Sequence, residues 1–370
     1  MILSPRLKEN ARLPAVLSSI HSKEVDLAHL ARDFNVVIII LKAPWCPVCP
    51  TLLRVLSFLG LKQPPVCGEA AQWTDPFTAT TRKVTAQSRQ LNGVLLERDT
   101  HFLILCPGPA EALSEIAVKS GWDDLSNASF VADVNWSIIE GLGLRMAAGA
   151  WPSTLLLRSD LSVQTIQIGR APGFYGDREL LAALRAMRSD QETRAITALK
   201  QSRMLGRKLN IACLAATRYD HPGRDKLPIE LLRAIMEVVA WTELCAVEAG
   251  VVATLSPLHA AACACKSWRY VALSTGLDIL QAQTDRVDSL LARDPASGSL
   301  VTCGGTAWGY PEAVTPPKAS VLHLRKETDE LMRVEKWLGA IFRHVGDINA
   351  RPEGDKTLNA AAADFPLCAS

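Results

Sequence analysis

Val36-Val37-Ile38-Ile39-Ile40-Leu41, followed by Trp45-Cys46-Pro47-Val48-Cys49, decides how this chain reads. A continuous β-branched run without polar alternation is the pattern of a strand buried on both faces of a parallel sheet. Thr51 to Leu59 then has helical spacing. Pro47 suits a first helical position, where its missing N–H would be unpaired anyway. Gly60 suits the end of that helix. A buried strand that delivers two cysteines to a helix start has the geometry of a dithiol redox site. A thiolate there meets unpaired backbone N–H groups and the positive end of the helix dipole, and its pKa falls.

A lone CxxC serves redox chemistry, metal binding or plain structure. Zinc needs two further ligands, from a second CxxC or a closely spaced His pair. The chain has no second CxxC, and its histidines (21, 29, 101, 221, 259, 323 and 344) form no H-x₃₋₅-H pair. The sequence therefore favours redox over metal, with inert structural thiols as the remaining reading. Cys46 is the candidate attacking thiol and Cys49 the resolving thiol, with Trp45 as a hydrophobic cover.

Outward from this motif the N-terminal half alternates strands and helices. Residues 5–20 and 24–33 read as short helices, the second opened by Ser22. Residues 61–99 read as an irregular insertion. His101 to Cys106 reads as a strand, Ala110 to Lys119 as a helix, Ser129 to Asp133 as a strand and Ser137 to Leu144 as a helix. Pro152-Ser153-Thr154 leads into a hairpin spanning Leu155 to Ile168, and Asp177 to Arg188 is an amphipathic helix. Alternating βα units that end in a hairpin and a helix argue for an α/β domain with a central mixed sheet. Active sites of such sheets gather at the carboxyl ends of the parallel strands. Cys106 ends one of these strands, so it is either a third redox thiol beside the pair or a buried core cysteine.

This layout resembles the thioredoxin fold, in particular its peroxiredoxin and redoxin branch, over about residues 30–190. The resemblance rests on the WCPVC motif after a strand, on Phe130-Val131-Ala132-Asp133 with the helix after it, and on Trp151-Pro152-Ser153-Thr154-Leu155-Leu156-Leu157. It implies that Pro152 matches the proline, usually cis, that packs against the dithiol in thioredoxin-like proteins. Two departures bear on activity. Peroxiredoxins carry Thr or Ser three residues before the peroxide-reactive cysteine, where this chain has Ala43. They also place an arginine just ahead of the late strand, where this chain has Ala150 and Trp151. Weak or no peroxidase activity is expected.

In the second half, Tyr219 to Arg224 has the turn chemistry of a linker. Leu227-Pro228-Ile229-Glu230-Leu231-Leu232-Arg233-Ala234-Ile235 reads as a short amphipathic helix. Cys265-Lys266-Ser267-Trp268-Arg269 and Val271 to Thr275 follow later. This combination is similar to the F-box, in a form common in mushroom-forming fungi, over about residues 226–276. The resemblance implies an all-α module that docks on the adaptor of a cullin-type ubiquitin ligase through Leu227, Pro228, Leu231, Leu232 and Ile235.

The whole chain bounds these readings. Its 370 residues are 48% hydrophobic and 21% charged, with a net charge of only +2. Nothing in that balance argues for a nucleic-acid or membrane-surface partner. Met1 to Asn10 has no apolar core and does not read as a secretory signal. Val238 to Cys265 is interrupted by Glu243, Glu248, Pro257 and His259, which argues against a membrane span. Ten scattered cysteines fit reduced thiols in the cytoplasm or nucleus.

The expected architecture is thus an α/β thioredoxin-like domain at 1–190, a linker at 191–225 and an all-α F-box-like module at 226–276. A helical extension with a disordered tail would occupy 277–370. The expected activity is thiol–disulfide oxidoreduction on a protein disulfide or small thiol, with no metal and no cofactor. The alternative is an F-box adaptor whose thioredoxin-like domain only binds partners.

Overall fold

The computed structural model describes residues 7–62, 70–217, 229–248, 258, 261, 266–292 and 321–342. These fall into two compact units, Met1–Glu192 with Ala292–Arg325, and Thr193–Leu291 with Lys326–Ser370.

The first unit is built on a five-stranded mixed sheet. Its strands are β3 (Asn35–Ile40), β6 (Thr100–Pro107), β7 (Ala128–Asp133), β10 (Ser153–Leu157) and β11 (Val163–Ile168), in the order β11-β10-β3-β6-β7. β3, β6 and β7 run parallel, whereas β10 runs antiparallel to both β3 and β11. Every residue of β3 and of β6 is buried. The apolar run that opens the sequence reading is therefore the central strand, covered on both faces as its composition demands.

Alternation along β3 divides the core. Val37, Ile39 and Leu41 pack beneath α2 (Val48–Leu56), together with Phe102, Ile104 and Cys106 of β6. Val36, Ile38 and Ile40 face the other way, toward α1 (Leu27–Asp33) and α5 (Ser137–Leu142). α4 (Ala110–Ser120) ends at Gly121, whose φ of 70° is the left-handed cap conformation.

Several local expectations change. Residues 5–20 are not helical where described. They contain β1 (Val16–Ser18), which pairs with β2 (Glu24–Asp26) as a small hairpin. α1 starts at Leu27 and is capped by the Asp26 carboxylate, which accepts from the His29 N–H at 2.9 Å. Ser22 lies in the hairpin turn with a φ of 58°. The insertion at 61–99 is ordered where described, as the hairpin β4 (Ala71–Thr74) and β5 (Thr81–Val84) followed by α3 (Ala86–Gly93). Gly60 sits in a π-type turn at Ser57–Leu61 with a φ of 128°. A Cβ on it would lie 2.7 Å from the Arg89 carbonyl oxygen, so glycine lets α3 approach the end of α2. Trp122 closes the same corner. Its indole stacks edge-on against Phe102 and donates to the Leu53 carbonyl at 3.1 Å and the Ser57 hydroxyl at 3.0 Å.

Short strands β8 (Arg145–Met146) and β9 (Gly149–Ala150) lead back toward the sheet. α6 (Asp177–Thr217) begins where the closing helix is expected but continues for 41 residues. Within the second unit lie α7 (Ile229–Glu248) and α8 (Lys266–Ala292), and α9 (Val321–Phe342) contributes its part from Lys326 onward. Glu243 of α7 accepts from the Leu258 N–H at 2.7 Å and from the Trp337 indole at 3.2 Å. Trp268 is half-buried rather than enclosed. The segments 219–224, 301–317 and 350–370 lie outside the described residues.

Candidate active site

β3 ends at Ile40, and a turn closed by the Cys46 N–H on the Ala43 carbonyl (3.1 Å) swings the chain into α2. Pro47 occupies the cap position with helical dihedrals, one residue before the first helical residue, and has no side chain able to cap. The Cys46 sulfur lies where the backbone N–H groups of Val48 and Cys49 lower its pKa. It thus meets the orphan donors that every helix start exposes.

The Sγ atoms of Cys46 and Cys49 lie 3.2 Å apart as free thiols. The environment separates them. The Cys46 pKa is lowered from 9.0 to about 6, chiefly by the Cys49 thiol, with smaller help from the two N–H groups and the Lys42 charge, against the opposing effect of burial. The Cys49 thiol is pushed strongly upward by the Cys46 sulfur and by burial, although the Lys42 N–H donates to it at 3.3 Å. Cys46 is thus the more acidic sulfur of the pair and Cys49 the one held protonated, and both are buried. Cys46 is 7% exposed and Cys49 1%.

Trp45 is exposed beside Cys46, with the Lys42 ammonium 5.1 Å above its ring. It does not cover the thiol as a buried lid. Cys106 is buried in the same core cluster as both cysteines, and burial together with the Cys46 charge pushes its pKa to about 12. Ala43 is buried and offers no hydroxyl.

Pro152 is buried in the connection from β9 to β10, and its carbonyl accepts from the Gly169 N–H at 2.7 Å. The peptide bond before it is trans, contrary to the cis form implied by the resemblance. Gly149 and Ala150 instead reach the dithiol loop through backbone, the Ala150 N–H donating to the Lys42 carbonyl at 2.8 Å.

Two charged residues escape a sequence reading. Lys42 is visible only as the residue after an apolar strand. Arg170 lies beyond the last strand, yet its charge acts on Cys49. No local signal in the sequence marks it; only the return of β11 beside β10 brings it there.

The residues expected to share one exposed face of α7 do not all do so. Leu231 and Ile235 are exposed on α7, but Leu232 is 3% exposed and belongs to the core. Helical geometry puts adjacent residues about 100° apart, so Leu231 and Leu232 cannot share one solvent face. Val238 and Trp241 extend the exposed stripe, whereas Leu227 and Pro228 lie outside the described residues.

Among the described residues no group of three or more His, Cys, Asp or Glu side chains is arranged to hold a metal ion, and no helix is long and apolar enough to cross a membrane. No family model matches the chain, and no curated protein sequence matches it. Among solved structures it is similar to peroxidoxin BcpB of Mycobacterium tuberculosis, at 14% identity over 46% of this chain and 91% of that one, with a TM-score of 0.30. It is also similar to the bacterioferritin comigratory protein of Xanthomonas campestris (15% identity, 50% and 97% coverage, TM-score 0.32). AhpC of Mycobacterium tuberculosis is a third (15%, 50% and 96%, TM-score 0.33). None of these comparisons identifies an F-box. The chain's own strand order and the helix that starts at its CxxC give the N-terminal half a thioredoxin-type fold with a dithiol at the carboxyl end of the central strand.

Proposed function

We propose that the N-terminal unit is a thiol–disulfide oxidoreductase. The observation that carries this reading is the pair of sulfurs 3.2 Å apart, one activated at a helix start and one buried and protonated. The Cys46 thiolate attacks a disulfide of a protein or small-thiol substrate and expels one thiolate. Cys49 then gives up its proton and attacks the Cys46 sulfur of the mixed disulfide. That step releases the second substrate thiolate and leaves the Cys46–Cys49 disulfide. Ala43 supplies no hydroxyl to orient a peroxide, so peroxide reduction is secondary.

Thiol trapping across a glutathione redox series tests the reading. Wild type should pass from two free thiols to one disulfide at a defined potential. Cys46→Ser should lose disulfide-reductase activity, and Cys49→Ser should accumulate a mixed disulfide. A wild type that stays fully reduced across the series would falsify the assignment.

A second reading concerns α7, whose Leu231, Ile235, Val238 and Trp241 form an exposed apolar stripe. We infer that the C-terminal half is an F-box-like interaction module for a cullin-ligase adaptor, and that this stripe is its contact face. Wild type should capture the adaptor in a pull-down and Leu231→Asp should not, with the redox activity unchanged. Failure of wild type to bind removes this reading.

A further inference from the structure

The turn between β3 and α2 holds one backbone donor at the second sulfur. The Leu41 N–H donates to the Leu105 carbonyl of β6 at 2.8 Å, and the Lys42 carbonyl accepts from the Ala150 N–H of β9 at 2.8 Å. Between these anchors the Lys42 N–H has no backbone partner among the described residues, and it donates to Cys49 Sγ at 3.3 Å. The Cys49 sulfur meets one other hydrogen-bonding group among the described residues, the Cys46 thiol at 3.2 Å. That partner is lost once Cys46 is bonded to another sulfur, because it then has no proton to give. Negative charge that reaches Cys49 Sγ in such a state meets the Lys42 N–H alone, and ionising one partner makes a hydrogen bond roughly twice as strong.

Gly149 fixes where that donor sits. It is buried with a φ of 136°, and a Cβ on it would lie 2.5 Å from the Lys42 carbonyl oxygen and 3.2 Å from Lys42 Cγ. Atoms cannot approach so closely, so any side chain at this position displaces Lys42. The next residue, Ala150, grips the same carbonyl through its N–H. β9 is itself held by β8, with Met146 opposite Gly149 and Arg145 opposite Ala150. The close approach of this hairpin therefore sets the Lys42 peptide against the end of β3, with its N–H on Cys49.

We propose that the Lys42 backbone N–H is the donor that receives the Cys49 thiolate whenever the Cys46–Cys49 disulfide opens or closes, and that Gly149 is the positioning residue that seats it. The inference rests on the redox reading above. In the opening direction a thiolate of a dithiol reductant attacks Cys46 Sγ, the less buried of the two sulfurs. A sulfur–sulfur bond forms between them and the Cys46–Cys49 bond breaks. Its electron pair leaves on Cys49 Sγ, where the Lys42 N–H holds the thiolate until a proton arrives from solvent. The second thiolate of the reductant then attacks the reductant sulfur bound to Cys46. Cys46 leaves as a thiolate and the reductant as a cyclic disulfide, two electrons having passed to the protein. Closing runs back through the same Cys49 thiolate, so one N–H serves both directions.

The test uses the full chain with an oxygen in place of the Lys42 backbone N–H. Joining a synthetic 1–45 thioester that carries this ester to the 46–370 chain at Cys46 restores every side chain of the sequence. The ester should slow both opening by dithiothreitol and closing by its oxidised form about fivefold, because the Cys49 thiolate loses its donor. The midpoint potential should stay where it is, since neither the disulfide nor the protonated Cys49 thiol carries the charge that the N–H serves. A merely structural distortion of the pair would move that potential. Gly149→Ala should slow both directions in the ordinary chain and add nothing in the ester chain, as two changes that act through one N–H must. It carries the test if the ligated chain does not refold, and the ester carries it if Gly149→Ala does not fold. Wild-type rates in the ester chain, or slowing in one direction only with a shifted potential, overturn the inference alone. Wild-type rates for a folded Gly149→Ala, or its full slowing added on top of the ester, overturn the role of Gly149. Absence of any reducible Cys46–Cys49 disulfide in wild type overturns the redox reading, and this inference with it.

Discussion

Replacing Cys49 with alanine removes the largest single influence on Cys46 and leaves the two backbone N–H groups and Lys42 to oppose burial. The wild-type sulfur, lowered from 9.0 to about 6, is half ionised at pH 6 and about nine-tenths ionised at pH 7. A thiol at 9.0 would be ionised to roughly 0.1% and 1% at those two pH values. Population alone would give advantages of about 500-fold and 90-fold. A more acidic thiolate is also a weaker nucleophile. With a Brønsted slope of about 0.45, three pH units of acidity lower the reactivity per thiolate by roughly 20-fold. The net advantage is then about 20-fold at pH 6 and only about fourfold at pH 7. The diagnostic quantity is therefore the midpoint of the pH–rate profile and not the rate at neutral pH. Iodoacetamide labelling of the native protein, followed at the Cys46 peptide by mass spectrometry from pH 4 to 10, should give a midpoint near 6. Cys49→Ala should move it upward by more than Lys42→Met does, because the Lys42 charge is the smallest of the lowering influences. A wild-type midpoint near 9, or a larger effect of Lys42→Met than of Cys49→Ala, refutes the reasoning.

Gly60→Ala should destabilise the first unit by about 3 kcal/mol, through a left-handed backbone and a Cβ that meets the Arg89 carbonyl; an unchanged urea midpoint would contradict the packing described for that corner. His101 is buried against Phe34 and bonded to the Ser129 hydroxyl at 2.9 Å, and burial lowers its pKa from 6.5 to about 4. The unfolded chain binds that proton first, so stability is full above pH 6.5 and falls as the pH drops toward about 4. The loss is at most about 3 kcal/mol. His101→Gln should flatten this part of the pH–stability curve, and equal slopes for the two proteins would show that another group dominates it.

Local chemistry determines what could be read along the chain. An unbroken β-branched run has to be a central strand, because only a sheet covered on both faces hides six such side chains in succession. A cysteine just before a proline-initiated helix meets unpaired N–H groups whatever the rest of the fold does. Val36 to Leu41, the strand at His101 to Cys106 and the place of Cys46 just ahead of a helix were accordingly legible. The N-terminal hairpin was not, because Leu13 and Leu17 stand four apart, a spacing that a helix also satisfies, and only the pairing of β1 with β2 and the burial of Leu17 and Val25 in the core of Ile38 and Ile40 make these segments strands. On α7 the sequence identified an apolar helix, but which leucine faces the core depended on the partners it packs against. Arg170 lies 121 residues from Cys49 and on the far side of a hairpin, so its influence on the second sulfur follows from strand order alone. Covalent neighbours and helix-end dipoles act within a few residues and are written in the sequence. Charges that meet across a sheet depend on how the strands are ordered, and the tertiary structure alone decides that.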